Sequence, residues 1–534
     1  MIIHFQRRCL RINRCALKKD SMAIIISLSK LQNVCALAGF FIIFKLNKYS
    51  TVLLSGFIKS RRDLISLLAG AVLFVLMLAL NPFNVTHEAK LVLAVTILMV
   101  TWWVTEAIPM PVVAMLPLIL FPLMGISSIK ETSASYGDSI IFLFLGGFMI
   151  GLAIEKWNLH TRIALVIIRA TGTSGDRIVL GFIIATGFLS MWLSNTATTM
   201  MMFPIAASII HVVNENRQGQ GNLKNFSLTV MLSIAYASNF GGIATIIGTP
   251  PNVAFVGFME KKYQYTFQFA DWMMICAPIA ILLLFTLYIV MTKWLYPNRL
   301  RSDNSTKMVI RQKIEDLGPL KTAEKRVLIV FCATALLWIT KDIINTFDFI
   351  RLDDTMIAMI GATALFIAPS GMNDNGSRIL DWKDTNKMAW GILLLFGGGI
   401  ALAGALEKAG LIESLGNWIA GFGGSGGLVL VVMITLMSIF ISELMSNIAQ
   451  VIVFSPVIAG IADAMGMNPL LLGIPMTLAA SCASMMPMGT PPNAIVFASG
   501  YIKLNQMVKT GFVMNVIAVI LISLFCYYVV PLIL

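Results

Sequence analysis

The sequence predicts an all-α polytopic membrane protein, and three observations carry that expectation. Of 534 residues, 58% are hydrophobic and 12% charged, with a mean hydropathy of +0.84. Soluble domains are about half apolar and a quarter charged. Apolar runs of about 20 residues, long enough for a bilayer core, recur along the chain. Examples are LISLLAGAVLFVLMLAL (64–80), APIAILLLFTLYIVM (277–291) and FVMNVIAVILISLFCYYVVPLIL (512–534). The third observation is a helix-breaking polar element, GTPPN, written twice inside such runs, at 248–252 and 489–493. Roughly eleven spans or span equivalents are expected.

Residues 1–62 form a basic N-terminal extension, with Arg7, Arg8, Arg11, Arg14, Lys18, Lys19, Arg61 and Arg62. Its apolar stretch AIIISLSKLQNVCALAGFFIIFK is interrupted by Lys30, Gln32 and Asn33. No small-residue cleavage site follows a clean apolar core, so a signal peptide is not expected. Two readings stay open: an extra membrane-associated helix, or an over-extended start with translation from Met22 or later. The first repeat covers 63–292 and the second 327–534. Between them, 293–326 is a basic linker with Lys293, Arg299, Arg301, Lys307, Arg311, Lys313, Lys321, Lys325 and Arg326. Loops rich in Lys and Arg stay cytoplasmic, which places the linker and the N-terminus inside. That placement accounts for the net charge of +13 without nucleic acid. The seven cysteines and four histidines show no metal-ligand spacing, so packing and loop roles are expected for them.

The chain repeats itself. FLGGFMIGLAIEKWNL (144–159) aligns with FGGGIALAGALEKAGL (396–411), an offset of 407 − 155 = 252 at the glutamates. MWLSNTATTMMMFPIA (191–206) aligns with LMSNIAQVIVFSPVIA, where Asn195 meets Asn447 at the same offset, 447 − 195 = 252. The GTPPN copies are 489 − 248 = 241 apart. The difference, 252 − 241 = 11, matches the polar loop NENRQGQGNLKN (214–225) of the first half. Internal repeats with paired broken helices are the signature of secondary transporters, with the binding site at the repeat interface.

A broken helix exposes backbone groups that lipid cannot satisfy, so the break must face protein, water or ligand. Half-helix N-termini attract anions, and freed carbonyls coordinate cations. No Lys or Arg lies between Arg177 and Arg217, or between Lys408 and Lys503. The basic neighbours of the first GTPPN are Lys224 and Lys261. A dianion bound at the breaks would thus lack a protein counter-ion, and a buried unpaired charge costs several kcal/mol. Co-bound cations would supply the missing charge, provided the substrate is an anion.

At these residues the chain resembles a known family. SNTATTMMMFP, GGIATIIGTPPN, LLLFGGG, the SN of SNIAQ and MPMGTPPNAIVFASG are similar to the divalent anion/sodium symporter family. These are the INDY-type sodium-coupled di- and tricarboxylate transporters. The resemblance runs from about residue 63 to the C-terminus. It implies two inverted repeats, a homodimer, and a scaffold domain beside a transport domain that moves as an elevator. It also implies two re-entrant hairpins, placed here at 131–157 and 383–409. Carried over residue by residue, sodium site 1 would use Ser190, Ser194, Asn195 and Gly248. Site 2 would use Ser442, Met445, Asn447 and Gly489. Substrate carboxylates would meet Ser194, Asn195, Thr196, Thr249, Ser446, Asn447 and Thr490, with Pro250 and Pro491 nearby. Three departures stand out: Ile448 where many members have threonine, Ser442 where threonine is common, which keeps the hydroxyl, and Met445 where a small residue is common.

Each residue has a plainer role beside the functional one. Asn195 and Asn447 could be interhelical hydrogen-bond glue, although their duplication beside duplicated breaks favours ligation. Thr249 and Thr490 could simply cap the broken ends. Intramembrane acids are functional candidates by default; Glu106 is expected to be structural or at an interface, and Glu443 to tune a cation site. The pairs Glu155-Lys156 and Glu407-Lys408 are expected to neutralise themselves.

An intramembrane enzyme would need a nucleophile with its base or a metal-ligand set, and the chain offers no H-E-x-x-H or paired catalytic aspartates. A channel is less consistent with duplicated broken helices around one site. The expectation is a non-enzymatic, multi-pass symporter of a bacterial inner membrane. It takes up C4-dicarboxylates such as succinate, malate and fumarate, with Na+ as coupling ion, no cofactor, and lipid as its surroundings. The alternative is another divalent oxyanion (citrate or sulfate), or an exchanger.

Overall fold

The computed structural model describes residues 61–216, 222–300, 304–347, 351–371, 377–414 and 427–533. The expected N-terminal extension up to residue 60, and Arg301 of the linker, lie outside them. The chain divides into units Met1–Ile65 and Ser66–Leu534, and the site is contained in the second.

Among the described residues the fold is all helical, with one isolated β-bridge between Pro369 and Arg378. Eight helices among the described residues are long and apolar enough to cross a membrane, from His87–Thr105 to Leu504–Ile533, and five apolar helices are shorter. The surface fits a lipid solvent. Val75, Leu123, Ile281, Phe285, Ile329, Leu336 and Ile343 are exposed, while hydroxyls and amides such as Ser190, Ser238, Asn239, Asn252, Ser442 and Asn493 are buried.

Eight helices carry the paired breaks. In the first repeat these are α1 (Gly175–Ser190), α2 (Asn195–Asn216), α3 (Leu223–Gly242) and α4 (Pro250–Tyr263). In the second they are α5 (Leu428–Ser442), α6 (Asn447–Ala464), α7 (Leu470–Ser481) and α8 (Pro491–Ala498). At 1.5 Å per residue, the 12-residue α7 rises about 18 Å, well short of a core about 30 Å thick. The repeats interlock after their breaks: α4 packs on α6 and α7, and α8 packs on α2 and α3.

Two sequence expectations are corrected here. Residues 131–157 and 383–409 do not form two-armed hairpins. In each, short helical turns (Ile129–Ala134 with Ser135–Gly137 in the first, Trp382–Lys387 in the second) precede one unbroken helix, Ser139–Lys156 or Trp390–Lys408. Their glycines serve close helix packing instead: a Cβ on Gly146 would strike Ala358, and one on Gly398 would strike the Ala114 backbone. Glycine alone costs a helix only about 1 kcal/mol. Four-residue turns join α1 to α2 and α5 to α6. The Glu-Lys dipeptides do not pair internally either. Lys156 binds Asp384 (2.7 Å), Lys408 binds Glu131, and Glu407 lies 3.7 Å from Lys262. Successive side chains on a helix do not face each other.

Candidate functional site

The two Ser-Asn turns have the same build. Helices α1 and α2 are separated by residues 191–194, and α5 and α6 by 443–446. In the first turn the buried Ser190 hydroxyl lies 2.8 Å from Asn195 Oδ1 and 2.7 Å from the Ser238 carbonyl. In the second, Ser442 Oγ lies 2.7 Å from Asn447 Oδ1 and 2.5 Å from the Ala480 carbonyl. A hydroxyl has one proton, here facing two acceptors, so both clusters are rich in oxygen and poor in donors. The tips beyond them, Ser194–Thr196 and Met445–Ile448, are only half-buried.

Gly248 completes the first cluster. A Cβ there would land on the Gly242 carbonyl and come within 3.0 Å of the Ser190 carbonyl; one on Gly242 would land on Asn195 Oδ1. Ser190, Asn195 and Gly248 are therefore brought together, while the Ser194 hydroxyl accepts the Ala197 N–H (3.3 Å). The second set converges less fully. Ser442 and Asn447 touch, but Gly489 lies against Glu443, its missing Cβ 2.7 Å from Oε2. Met445 and Ile448 both pack side chains against the hydrophobic core. Ile448 is thus a packing residue, and Met445 leaves its backbone for other contacts.

The GTPPN breaks reveal residues that sequence reasoning missed. Both prolines stand at the start of their helices, where the absent N–H costs nothing, so they open α4 and α8 rather than kink them. The asparagine that ends each motif secures the loop before it. Asn252 Nδ2 donates to the Thr245 carbonyl (2.8 Å) and reaches the Gly242 and Ile243 carbonyls (3.3 and 3.4 Å). Asn493 Nδ2 donates to the Ala483 and Met486 carbonyls (3.2 and 3.1 Å). Met486 is the counterpart of Thr245, and Ala483 of Gly242, since 486 − 245 = 241 and 483 − 242 = 241. A fully buried amide repeated at one offset was the available signal.

The loops differ in how their N–H groups are met. In the first, Thr245 Oγ1 accepts the Gly248 N–H (3.1 Å) and donates to the Met191 carbonyl (2.5 Å). In the second, the buried Glu443 carboxylate accepts N–H groups of Ser484, Met485 and Met486 (2.8, 2.8 and 2.9 Å) and Asn515 Nδ2 (2.7 Å). Its counterpart in the first repeat is Met191 (443 − 191 = 252). Glu106, by contrast, is an exposed left-handed C-cap (φ 51°) that ends His87–Thr105 through its backbone.

The threonines also differ. Thr490 Oγ1 accepts the Asn493 N–H (3.3 Å) and Asn239 Nδ2 (3.1 Å), whereas Thr249 makes no side-chain cap. Pro250 is half-buried and Pro491 exposed. The lysines nearest the first break, along α4, are engaged elsewhere: Lys261 with Ser135 Oγ (3.0 Å), and Lys262 with Asp463 (3.1 Å). Lys261 is eleven residues past Pro250 (261 − 250 = 11), about 17 Å along the helix.

A family model described as the sodium:sulfate symporter transmembrane region matches residues 61–534. The sodium-dependent dicarboxylate transporter SdcS of Staphylococcus saprophyticus is 42% identical over 475 residues, spanning 88% of this chain and 92% of that one. Its namesake in Staphylococcus aureus strain USA300 is 40% identical over 481 residues, spanning 89% and 92%. The solved YdaH transporter of Alcanivorax borkumensis matches with a TM-score of 0.55 at 11% identity, covering 84% of this chain and 99% of that one. At that identity it speaks to fold alone.

Proposed function

Because the chain belongs to the sodium:sulfate symporter family, multi-pass membrane transporters rather than enzymes, we propose that it couples sodium to the uptake of C4-dicarboxylates such as succinate, malate and fumarate. The observation that carries this reading is the duplicated, donor-poor oxygen cluster at Ser190–Asn195 and Ser442–Asn447. Sodium is a small hard cation served by oxygen ligands, and such clusters supply oxygens without protons. Site 1 uses Ser190, Ser194, Asn195 and Gly248; site 2 uses Ser442, Met445, Asn447 and Gly489. The dianion sits between the tips, against Ser194, Asn195, Thr196, Ser446 and Asn447. The starts of α4 and α8, with Thr249, Pro250, Thr490 and Pro491, point their helix dipoles at it.

The two lysines on α4, Lys261 and Lys262, are engaged elsewhere, so bound cations balance the carboxylates. That makes coupling a property of the site itself. A tenfold sodium gradient supplies about 1.4 kcal/mol per ion, and 100 mV about 2.3 kcal/mol per net charge. Two or three ions would therefore concentrate a dianion substantially. The same reading includes a homodimer, an elevator movement of the eight helices against the rest, and a bacterial inner membrane with the N-terminus inside.

The test is a panel of labelled anions in proteoliposomes under imposed sodium, proton or counter-anion gradients. Saturable, sodium-driven succinate uptake with counterflow supports the proposal. Sulfate or citrate as the preferred anion would replace the dicarboxylate, and uptake driven only by a counter-anion would make the protein an exchanger.

A further inference from the structure

Asn239 sits on α3, directly after Ser238, whose carbonyl lies 2.7 Å from the Ser190 hydroxyl. Asn239 is 1% exposed, and its Nδ2 reaches across the repeat boundary to Thr490 Oγ1 at 3.1 Å. Thr490 Oγ1 also accepts the Asn493 N–H. A hydroxyl oxygen has two lone pairs and one proton. With both lone pairs engaged, the direction of that proton is fixed, and it is the one group of the hydroxyl left for a ligand.

The first repeat has no such device. Thr249 carries no side-chain cap, and Ser481, which follows Ala480 as Asn239 follows Ser238 (the two carbonyls that meet Ser442 and Ser190), leaves its hydroxyl buried without a partner. Serine is too short to make the reach that the asparagine makes. Asn239 Oδ1 is likewise buried and unpaired, so the amide is held by its nitrogen rather than by satisfaction of both ends.

We propose that Asn239 is a positioning residue that aims the Thr490 hydroxyl proton at the substrate, and that it ties the second repeat's threonine to the cation cluster of the first. The proposal rests on the dicarboxylate reading above. Through two adjacent residues, Ser238 at the cation cluster and Asn239 at the threonine, the same turn of α3 touches both. Thr490 is then the pre-set donor of the two threonines, and Thr249 an adaptable one.

The test is a double-mutant cycle in proteoliposomes, reading half-saturating succinate separately from maximal rate at saturating sodium. Wild-type protein must first show sodium-dependent succinate uptake; failure there rejects the functional reading and leaves this cycle without its substrate. Given that uptake, Asn239→Ala and Thr490→Val each raise half-saturation about five- to tenfold, the worth of one hydrogen bond. The double variant is no worse than either alone, and Thr490→Ser stays near wild type. Asn239→Ser, which copies the residue at 481, replaces Asn239→Ala in the cycle should the alanine variant not be recovered folded. Additive effects, or a fall in maximal rate with half-saturation unchanged, would overturn the proposal.

Discussion

The loops before α4 and α8 share the sequence GTPPN yet are held by different chemistry. Their carbonyls are met alike, by Asn252 and Asn493. Their N–H groups are not: the first loop uses the neutral hydroxyl of Thr245, the second the buried carboxylate of Glu443. Duplication therefore preserved the break and not its electrostatics. A charge acts more strongly where the dielectric is low, so a cation in the second cluster has a formal negative neighbour that the first lacks. The two halves are alike in shape and unequal in what they offer an ion.

The largest expected effects erase what the halves share. Asn195→Ala and Asn447→Ala should each abolish succinate uptake, with size-exclusion behaviour and helical content unchanged. If these amides are only packing glue, worth about 0.6 kcal/mol, uptake persists. Next come changes to what separates the halves. Glu443→Gln removes the charge from an acceptor of four donors, and such bonds are worth about 1.5–3 kcal/mol each. It should lower thermal stability and sodium affinity well beyond Thr245→Val, where two neutral bonds of about 1 kcal/mol each are lost. Melting curves with and without sodium compare them, and equal losses would make the two loops equivalent.

A smaller effect is expected at the tips. Thr196→Ile should raise half-saturating succinate about tenfold, within the 1–3 kcal/mol of an unmet buried polar group. Ile448→Thr should leave half-saturation no worse, because Ile448 packs against apolar neighbours. Equal, small shifts would mean that neither side chain reaches substrate. The smallest effect is at the exposed pair of Lys408 with Glu131. Water and salt screen such a pair, so Lys408→Ala should barely move the melting midpoint and leave uptake unchanged.

The breaks were legible in the sequence because proline and duplicated polar residues are costly in an apolar run unless something there binds them. Ser190 with Asn195, and Ser442 with Asn447, which the family resemblance grouped together, are in contact. The hairpins, which the resemblance implied and which were placed on the glycine-rich segments, were misplaced there: Gly146 and Gly398 permit close helix contact. The Glu-Lys pairs misled because adjacency in sequence is not adjacency on a helix. Asn252 and Asn493 stood inside the duplicated motif, but their role is visible only once the loop's carbonyls are placed. Glu443 and Asn515 are 72 positions apart, and only folding brings them together.

The most direct measurement follows labelled sodium and labelled succinate together in proteoliposomes. Two cation clusters flanking one dianion predict uphill succinate accumulation with more than one sodium ion entering per succinate, lost in Asn447→Ala. Undiminished succinate uptake in sodium-free buffer under a potassium gradient would contradict the account.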